Sequence, residues 1–508
     1  MNWGEGRERD FWLFAGIHLV FWTLIPLAIQ PNPPLDTVEL VAWGHEWRLG
    51  YPKHPPLASW LGEAARLISG AGGVWAIYLL GQLCVIIAFW AVWRLGLELT
   101  SPAVALAAIL VLEATGRYTW MTLEFNHNLA VLPFFPLSAL CVYRALSRRR
   151  LRWWLAAGVC LGAGILTKYV IASLGAAIAV FLISSREARR RAAGAGPYLA
   201  LVAAVLVAMP HIAWMVANGF RTIAYAAERG QSDAGLAGHL LNPLDFLGRQ
   251  LLMLEFIVVV LLVLLAQPWR LRSLTRDERF GRQFLLAVGL GPVALLVLVS
   301  AVTGIQLRAE WGMPLWSMLG LVVLFSFATR PGAQLRQRAA LGFVLFLGIN
   351  VGLALVEGIA GPYLTGRGFR THFPGRELAA HAVQAWRQRF TAPLSLVGGE
   401  RWFAGNVAFF APSRPSVFTN VGLASASLDE AACPWTSVAD FRQRGGVLVW
   451  SVEREGAGLP DGLTRHFPEA LVLPMLTLPW QTGAPVKPIR VGLALVAPTQ
   501  PLSIVPSR

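Results

Sequence analysis

Long apolar stretches recur through the first 360 residues, each close to the roughly 20 residues that a helix needs to cross a hydrocarbon core of about 30 Å. They fall at 11–30, 74–97, 102–116, 129–146, 153–167, 169–185, 197–217, 250–267, 284–304, 311–328 and 339–361. No water is present in a bilayer core to satisfy open backbone groups, so each stretch predicts a transmembrane α-helix. The signal is weakest at 102–116, 153–167 and 169–185. The first stretch is apolar for too long, and leads into Gln30-Pro31-Asn32-Pro33-Pro34 rather than a small-residue cleavage site, so it is expected to be retained as a helix. The pattern is that of a polytopic α-helical membrane protein with about 11 spans.

Three segments interrupt or follow the spans on one side: 31–73, 218–249 and everything after about 362. Residues 57–69 place Leu57, Trp60, Leu61, Ala64, Leu67 and Ile68 on one helical face, with Glu63 and Arg66 elsewhere. Such a helix fits the membrane surface. Residues 37–48 form a second helical pattern, with Val38, Val41 and Trp47 as apolar contacts and His45, Glu46 and Arg48 as polar ones. Beyond 362 the runs shorten. Leu394–Val397, Ser416–Phe418 and Val447–Trp450 read as buried strands, separated by helical patterns at 376–390, 400–410 and 436–443. The chain therefore divides into a membrane domain at 1–361, with the outer loop 31–73, and a C-terminal α/β domain at 362–508.

Composition narrows the class. Apolar residues make up 56% and charged residues 14%, against roughly 25% charged in an ordinary soluble domain. That excludes a soluble enzyme, and the apolar content excludes intrinsic disorder. Four Cys cannot build a disulfide scaffold: Cys84, Cys141 and Cys160 lie in predicted spans, and Cys433 has no second thiol in the outer domain. The net charge of +15 is carried almost wholly by Arg, with Lys53, Lys168 and Lys487 as the only lysines. Those Arg cluster in alternate loops: 144–152, 186–191, 270–282 and 330–338. Cations resist translocation, so these loops face the cytoplasm, and the short turns holding Arg117, Lys168 and Arg308 face outward. The N-terminus is then cytoplasmic and the C-terminal domain lies on the far side of the membrane. The charge reads as topology and contact with anionic membrane lipids, not nucleic-acid binding. Val397-Gly398-Gly399-Glu400 lacks a full phosphate-binding glycine pattern and argues against a nucleotide.

Candidate chemistry concentrates in the first outer loop, which reads Leu35-Asp36-Thr37-Val38-Glu39 and then Gly50-Tyr51-Pro52-Lys53-His54-Pro55-Pro56-Leu57-Ala58-Ser59-Trp60. Asp36 and Glu39, three apart, would share a side of a helix. Two roles stay open: an acid/base pair, or a helix cap at Asp36 with Glu39 reaching back in a capping box. A carboxylate in a partly dry cavity can serve as a general base. Cations or a metal beside it would stabilise negative charge that develops there. Lys53, His54, Lys168 and Arg308 are the outward candidates. Lys168 interrupts an apolar passage as either a site residue or a turn Lys that snorkels to water, and Arg308, in Arg308-Ala309-Glu310-Trp311-Gly312-Met313-Pro314, is either a phosphate ligand or an interfacial anchor. His54, Glu39, His127 and Glu124 could converge on a divalent metal ion, although no HExxH or close Cys/His spacing exists. His211 reads as a hydrogen-bonded packing residue, and Glu113, Glu255 and Glu357 as paired or interfacial.

An Asp soon after the first span, followed by Gly-Tyr and a Lys-His-Pro-Pro-Leu-x-x-Trp stretch, resembles the membrane glycosyltransferases of the GT-C class. The likeness is to the bacterial family 39 and aminoarabinose-transferase-like enzymes, related to protein O-mannosyltransferases. It implies transfer of a sugar from a polyprenyl (undecaprenyl) phosphate donor to a lipid, glycan or protein acceptor outside the cytoplasmic membrane. It makes Asp36 the catalytic base and Glu39, Lys53, His54, Lys168 and Arg308 the substrate-binding residues. Asn126-His127-Asn128 departs from the family, because relatives often place a second acidic residue there; Glu124 could replace it only if the backbone turns it inward. Thr37 and His54 depart as well, since many relatives have Asp-Glu at the first position and Lys before the Pro pair at the second. The competing classes are a multi-span transporter or lipid flippase using Glu113, Glu255 and Lys168, and a noncatalytic assembly protein in which Asp36 is only a cap.

Overall fold

The protein is described by a computed structural model covering residues 5–70, 72–252, 274–326, 332–420 and 426–499. The helices run in the order α1 (Glu5–Ile29), α2 (Leu35–Gly44), α3 (Leu57–Ser69), α4 (Trp75–Leu99), α5 (Pro102–Glu113), α6 (His127–Val131), α7 (Phe134–Arg148), α8 (Leu151–Ile165), α9 (Ile171–Ser184), α10 (Arg186–Arg191), α11 (Gly196–Ala217), α12 (Arg221–Arg229) and α13 (Gly238–Leu252). Arg276–Thr303, Leu319–Ser326 and Gly332–Leu355 follow. Among the described residues, 6 helices are long and apolar enough to cross a membrane, and 7 if the pair Ala309–Trp316 and Leu319–Ser326, bent by 48°, forms one span. The shorter apolar helices α5, α8 and α9 occupy the three stretches with the weakest sequence signal. Most of the segment expected at 250–267, with Glu255, lies outside the described residues.

Local chemistry sets the helix ends. Ser101 caps α5 by accepting from the Val104 backbone N–H, with Pro102 at the first helical position, where its missing donor costs nothing. A reciprocal Thr275/Glu278 box opens Arg276–Thr303, and Gly304, at φ 72°, closes it. The basic turns meet at one end of the bundle. There Glu98 pairs with Arg144 and Arg148, Glu187 with Arg191, Asp277 with Arg191, and Glu8 with Arg94. The opposite helix ends lead into α2, α3 and the C-terminal sheet. Within the bundle Glu113 is fully buried against His18 at 2.7 Å, and His18 in turn meets Gln82 at 3.1 Å. The buried carboxyl is thus partnered, as a polar group away from water must be.

Helices α2 and α3 pack as a hairpin beside the bundle. A Cβ on Gly44 would lie 2.1 Å from the Ser59 carbonyl oxygen, and one on Gly62 would lie 2.3 Å from Leu40 Cδ1. Small residues therefore permit the approach. In α3 the inward face is Ala58, Ser59, Gly62, Glu63, Ala65 and Arg66, while Leu67 and Ile68 point out. This is the outward apolar stripe read from the sequence. The expectation for α2 needs correction: the helix ends at Gly44 rather than 48, Trp47 takes a left-handed φ of 46°, and its ring is 51% exposed instead of packed. The reversal follows from α3 packing directly beneath Gly44, which leaves a longer α2 no course but into its neighbour.

The C-terminal part is a six-stranded sheet, ordered β2-β1-β3-β6-β4 with β5 also on β6. Its strands are β1 (Leu396–Gly399), β2 (Ser416–Thr419), β3 (Gly446–Ser451), β4 (Leu471–Val472), β5 (Leu476–Leu478) and β6 (Ile489–Val496). The first three were legible as short apolar runs, and they pair in parallel. The antiparallel β4–β6 were not anticipated. Helices Gly375–Arg387 and Arg401–Phe410 lie where the pattern placed them. The second packs on α2 and brings the sheet against the first outer loop.

Candidate active site

Asp36 sits in the first turn of α2, but the cap position is Pro34 and no side chain caps the helix. Glu39 does not reach back either. Its two oxygens face Lys53 Nζ at 2.7 Å and Arg401 Nη1 at 3.3 Å. The capping-box alternative is therefore absent from this helix, and the Asp36 carboxylate makes no side-chain hydrogen bond or ion pair among the described residues. Solvent reaches it from one side. Loss of hydration to the surrounding protein, together with the Glu39 charge, raises its pKa, against the pull of Arg401, Lys168 and Arg370.

The turn before α6 supplies a second acid. Glu124 Oε1 accepts from the Asp36 backbone N–H at 2.9 Å, and Thr37 Oγ1 donates to the Phe125 carbonyl at 2.9 Å. The backbone thus turns Glu124 inward. Loss of water and the Asp36 charge push Glu124 up to about 8. Asn126 caps α6 through its side chain, accepting from the Asn128 and Leu129 N–H groups. The departure at 126–128 is partly this local helix signal.

The other expected residues divide. Lys53 is 6% exposed, paired with Glu39 and bracketed by the rings of Trp43 at 5.4 Å and Tyr225 at 5.9 Å. His54 lies against His127, ring centroids 4.0 Å apart, with Tyr225 edge-on at 6.1 Å. Burial, then His127 and Lys168, hold His54 well below the usual imidazole range, so it is neutral. Lys168, in the turn between α8 and α9, donates to Asn128 Oδ1, and burial lowers it to about 8 against the charges of Glu310 and Asp36. Arg308 Nε donates to the Arg229 carbonyl at 3.1 Å, at the end of α12. His54 and His127 do converge, but among the described residues no three His, Cys, Asp or Glu side chains form a group that could hold a metal. His211 is a packing residue as read, bridging Tyr169 at 2.6 Å and the Leu49 carbonyl at 2.8 Å.

Two site-lining cations were not anticipated. Arg401 follows β1 and Arg370 lies in a short 3-10 turn, Arg370–His372, beyond the last span. The turn is tied to the loop before α2: Asn32 N–H donates to the Thr371 carbonyl at 2.9 Å and Asn32 Nδ2 to the Arg370 carbonyl at 3.3 Å. More than 330 residues separate these partners, so no local pattern could have found them.

A multispan bundle with a hairpin of surface helices and a small C-terminal sheet, converging on an acidic loop, is the GT-C architecture. The structure superposes on ArnT from Cupriavidus metallidurans bound to undecaprenyl phosphate with a TM-score of 0.63, at 15% identity, over 96% of this chain and 98% of that one. Residues 53–214 match the family model described as dolichyl-phosphate-mannose-protein mannosyltransferase. Among curated proteins, the lipopolysaccharide core galacturonosyltransferase RgtB of Rhizobium johnstonii is 24% identical over 81% of this chain and 84% of its own length. The lipid A galacturonosyltransferase RgtD of the same organism is 25% identical over 54% of this chain, and the match spans 57% of that relative. These matches support a membrane glycosyltransferase with the GT-C fold.

Proposed function

We propose that the protein transfers a sugar from a polyprenyl phosphate to a lipid or glycan acceptor on the periplasmic face of a bacterial inner membrane, with Asp36 as the base. One observation carries the reading: an unpartnered, solvent-reached carboxylate with cations around it. The acceptor hydroxyl attacks the anomeric carbon and its proton passes to Asp36. The bond to the carrier phosphate breaks, and the phosphate leaves with the electron pair. Lys168 stabilises that charge, and neutral His54 lines the slot. Glu39 and Lys53 cancel each other and fix the α2 surface rather than offer free charge. The names of the relatives support a lipid-linked donor and a lipid A or lipopolysaccharide acceptor. The arginine-rich loops, gathered at the bundle end away from Asp36, support an N-terminus in the cytoplasm.

Purified Asp36→Asn is expected to insert and fold normally yet lose about 10²- to 10⁴-fold in turnover, the usual contribution of a general base. Transfer is followed with a panel of polyprenyl-phosphate sugars. Normal turnover by the variant rejects Asp36. The transporter reading is disfavoured because Glu113, its best intramembrane carboxylate, is sealed against His18. Movement of an intact substrate without any glycosyl product would restore it.

A further inference from the structure

The cations around Asp36 are unequal. Arg401 is engaged by Glu39, Lys53 by the same carboxylate, and Lys168 by Asn128. Arg370 is exposed, and its guanidinium has no hydrogen bond or ion pair among the described residues. It lies over the face of Trp402, 5.9 Å from the ring centroid. Asp36, Glu124 and Glu400 all feel its charge, yet none lies within ion-pair reach. Glu400 is already taken by Arg454 and the Ser451 N–H. The Asn32 clamp holds the Arg370 backbone only four residues ahead of Asp36, and Asn32 itself is fully buried. A fork of donors is thus carried beside the Asp36 loop with its hydrogen-bonding capacity unused among the described residues.

We infer that Arg370 binds an oxyanion of the donor, so that the segment after the last span completes the donor site. The inference rests on the transfer reading above. Guanidinium geometry suits carboxylate and phosphate alike, because both accept two parallel N–H bonds. The anion is either the carrier phosphate or the carboxylate of a uronic acid sugar. Stacking on Trp402 orients the fork without consuming its donors.

The test compares wild type with Arg370→Gln and Arg370→Lys, using undecaprenyl phosphate linked to an uncharged hexose and to a hexuronic acid. Arg370→Gln is expected to raise KM about 10- to 100-fold, the worth of a charged hydrogen bond, while Arg370→Lys recovers part of it and kcat changes little. A rise for both donors assigns the phosphate. A rise confined to the hexuronate assigns the sugar carboxylate. Unchanged KM for both overturns the inference while leaving the transfer reading intact. Should wild type turn over neither donor, that reading fails by itself, and binding of undecaprenyl phosphate and of its hexuronate-linked form decides: equal affinity of wild type and Arg370→Gln for both rejects the assignment, and weaker binding of either by the variant upholds it. Thermal melting and detergent gel filtration identify a variant that has misfolded, in which case Arg370→Lys carries the same comparison.

Discussion

At the scale of single residues, the site works by unequal sharing of charge. Glu39 and Lys53 looked like free ligands in the sequence, but each satisfies the other at 2.7 Å. Asp36, which looked equally suited to capping a helix, is the one left open. This arrangement predicts a bell-shaped dependence of kcat/KM on pH. Asp36 must be ionised to accept a proton, so activity rises with pH through its raised pKa. Lys168 must stay charged to hold phosphate, so activity falls as pH passes about 8. Glu39→Gln removes a negative neighbour that raises Asp36 and frees Arg401, which lowers it, so the acid limb moves to lower pH. Lys168→Arg keeps its charge and extends the alkaline limb. Limbs that stay in place in both variants would separate these residues from the titrating groups.

At the scale of elements, the α2–α3 hairpin is the rigid support for Asp36. Its geometry rests on the missing side chain at Gly44 more than on any hydrogen bond. Gly44→Val is expected to destabilise the protein by roughly 1–3 kcal/mol, the usual cost of overpacking. It should also reduce turnover without changing membrane insertion, because the clash with Ser59 displaces α2 and not a span. Melting temperature in detergent and transfer rate together check this; an unaffected melt with full activity would show that the hairpin tolerates the extra volume. Elements with a strong period were legible: the helix at 57–69, the long spans and the three parallel strands. The strands β4 to β6 were not, because Leu471–Val472 and Leu476–Leu478 are too short to show a period and acquire strand geometry only by pairing with β6.

At the scale of the molecule, the two ends of the bundle differ in charge and in function. Introduced cysteines at Ser147 and Leu236 test the orientation in intact cells. The first is expected to stay protected from an impermeant maleimide, and the second, on a residue 90% exposed, to react. The reverse labelling would place Asp36 on the cytosolic side and remove the proposed chemistry from the periplasm. What the sequence determined by itself was whatever depends on local composition: apolar runs of membrane length, the arginine asymmetry between loops, the identity of the acidic loop and the helical face of α3. Each is a one-dimensional quantity, set by hydration of neighbouring residues along the chain. Tertiary structure alone decided which charges cancel and which remain. Arg401 and Arg370 reach the Asp36 loop from the far end of the chain, and Glu124 reaches it from the turn before α6. Electrostatic energy depends on distance through space and on lost water, and neither is written in the spacing of residues.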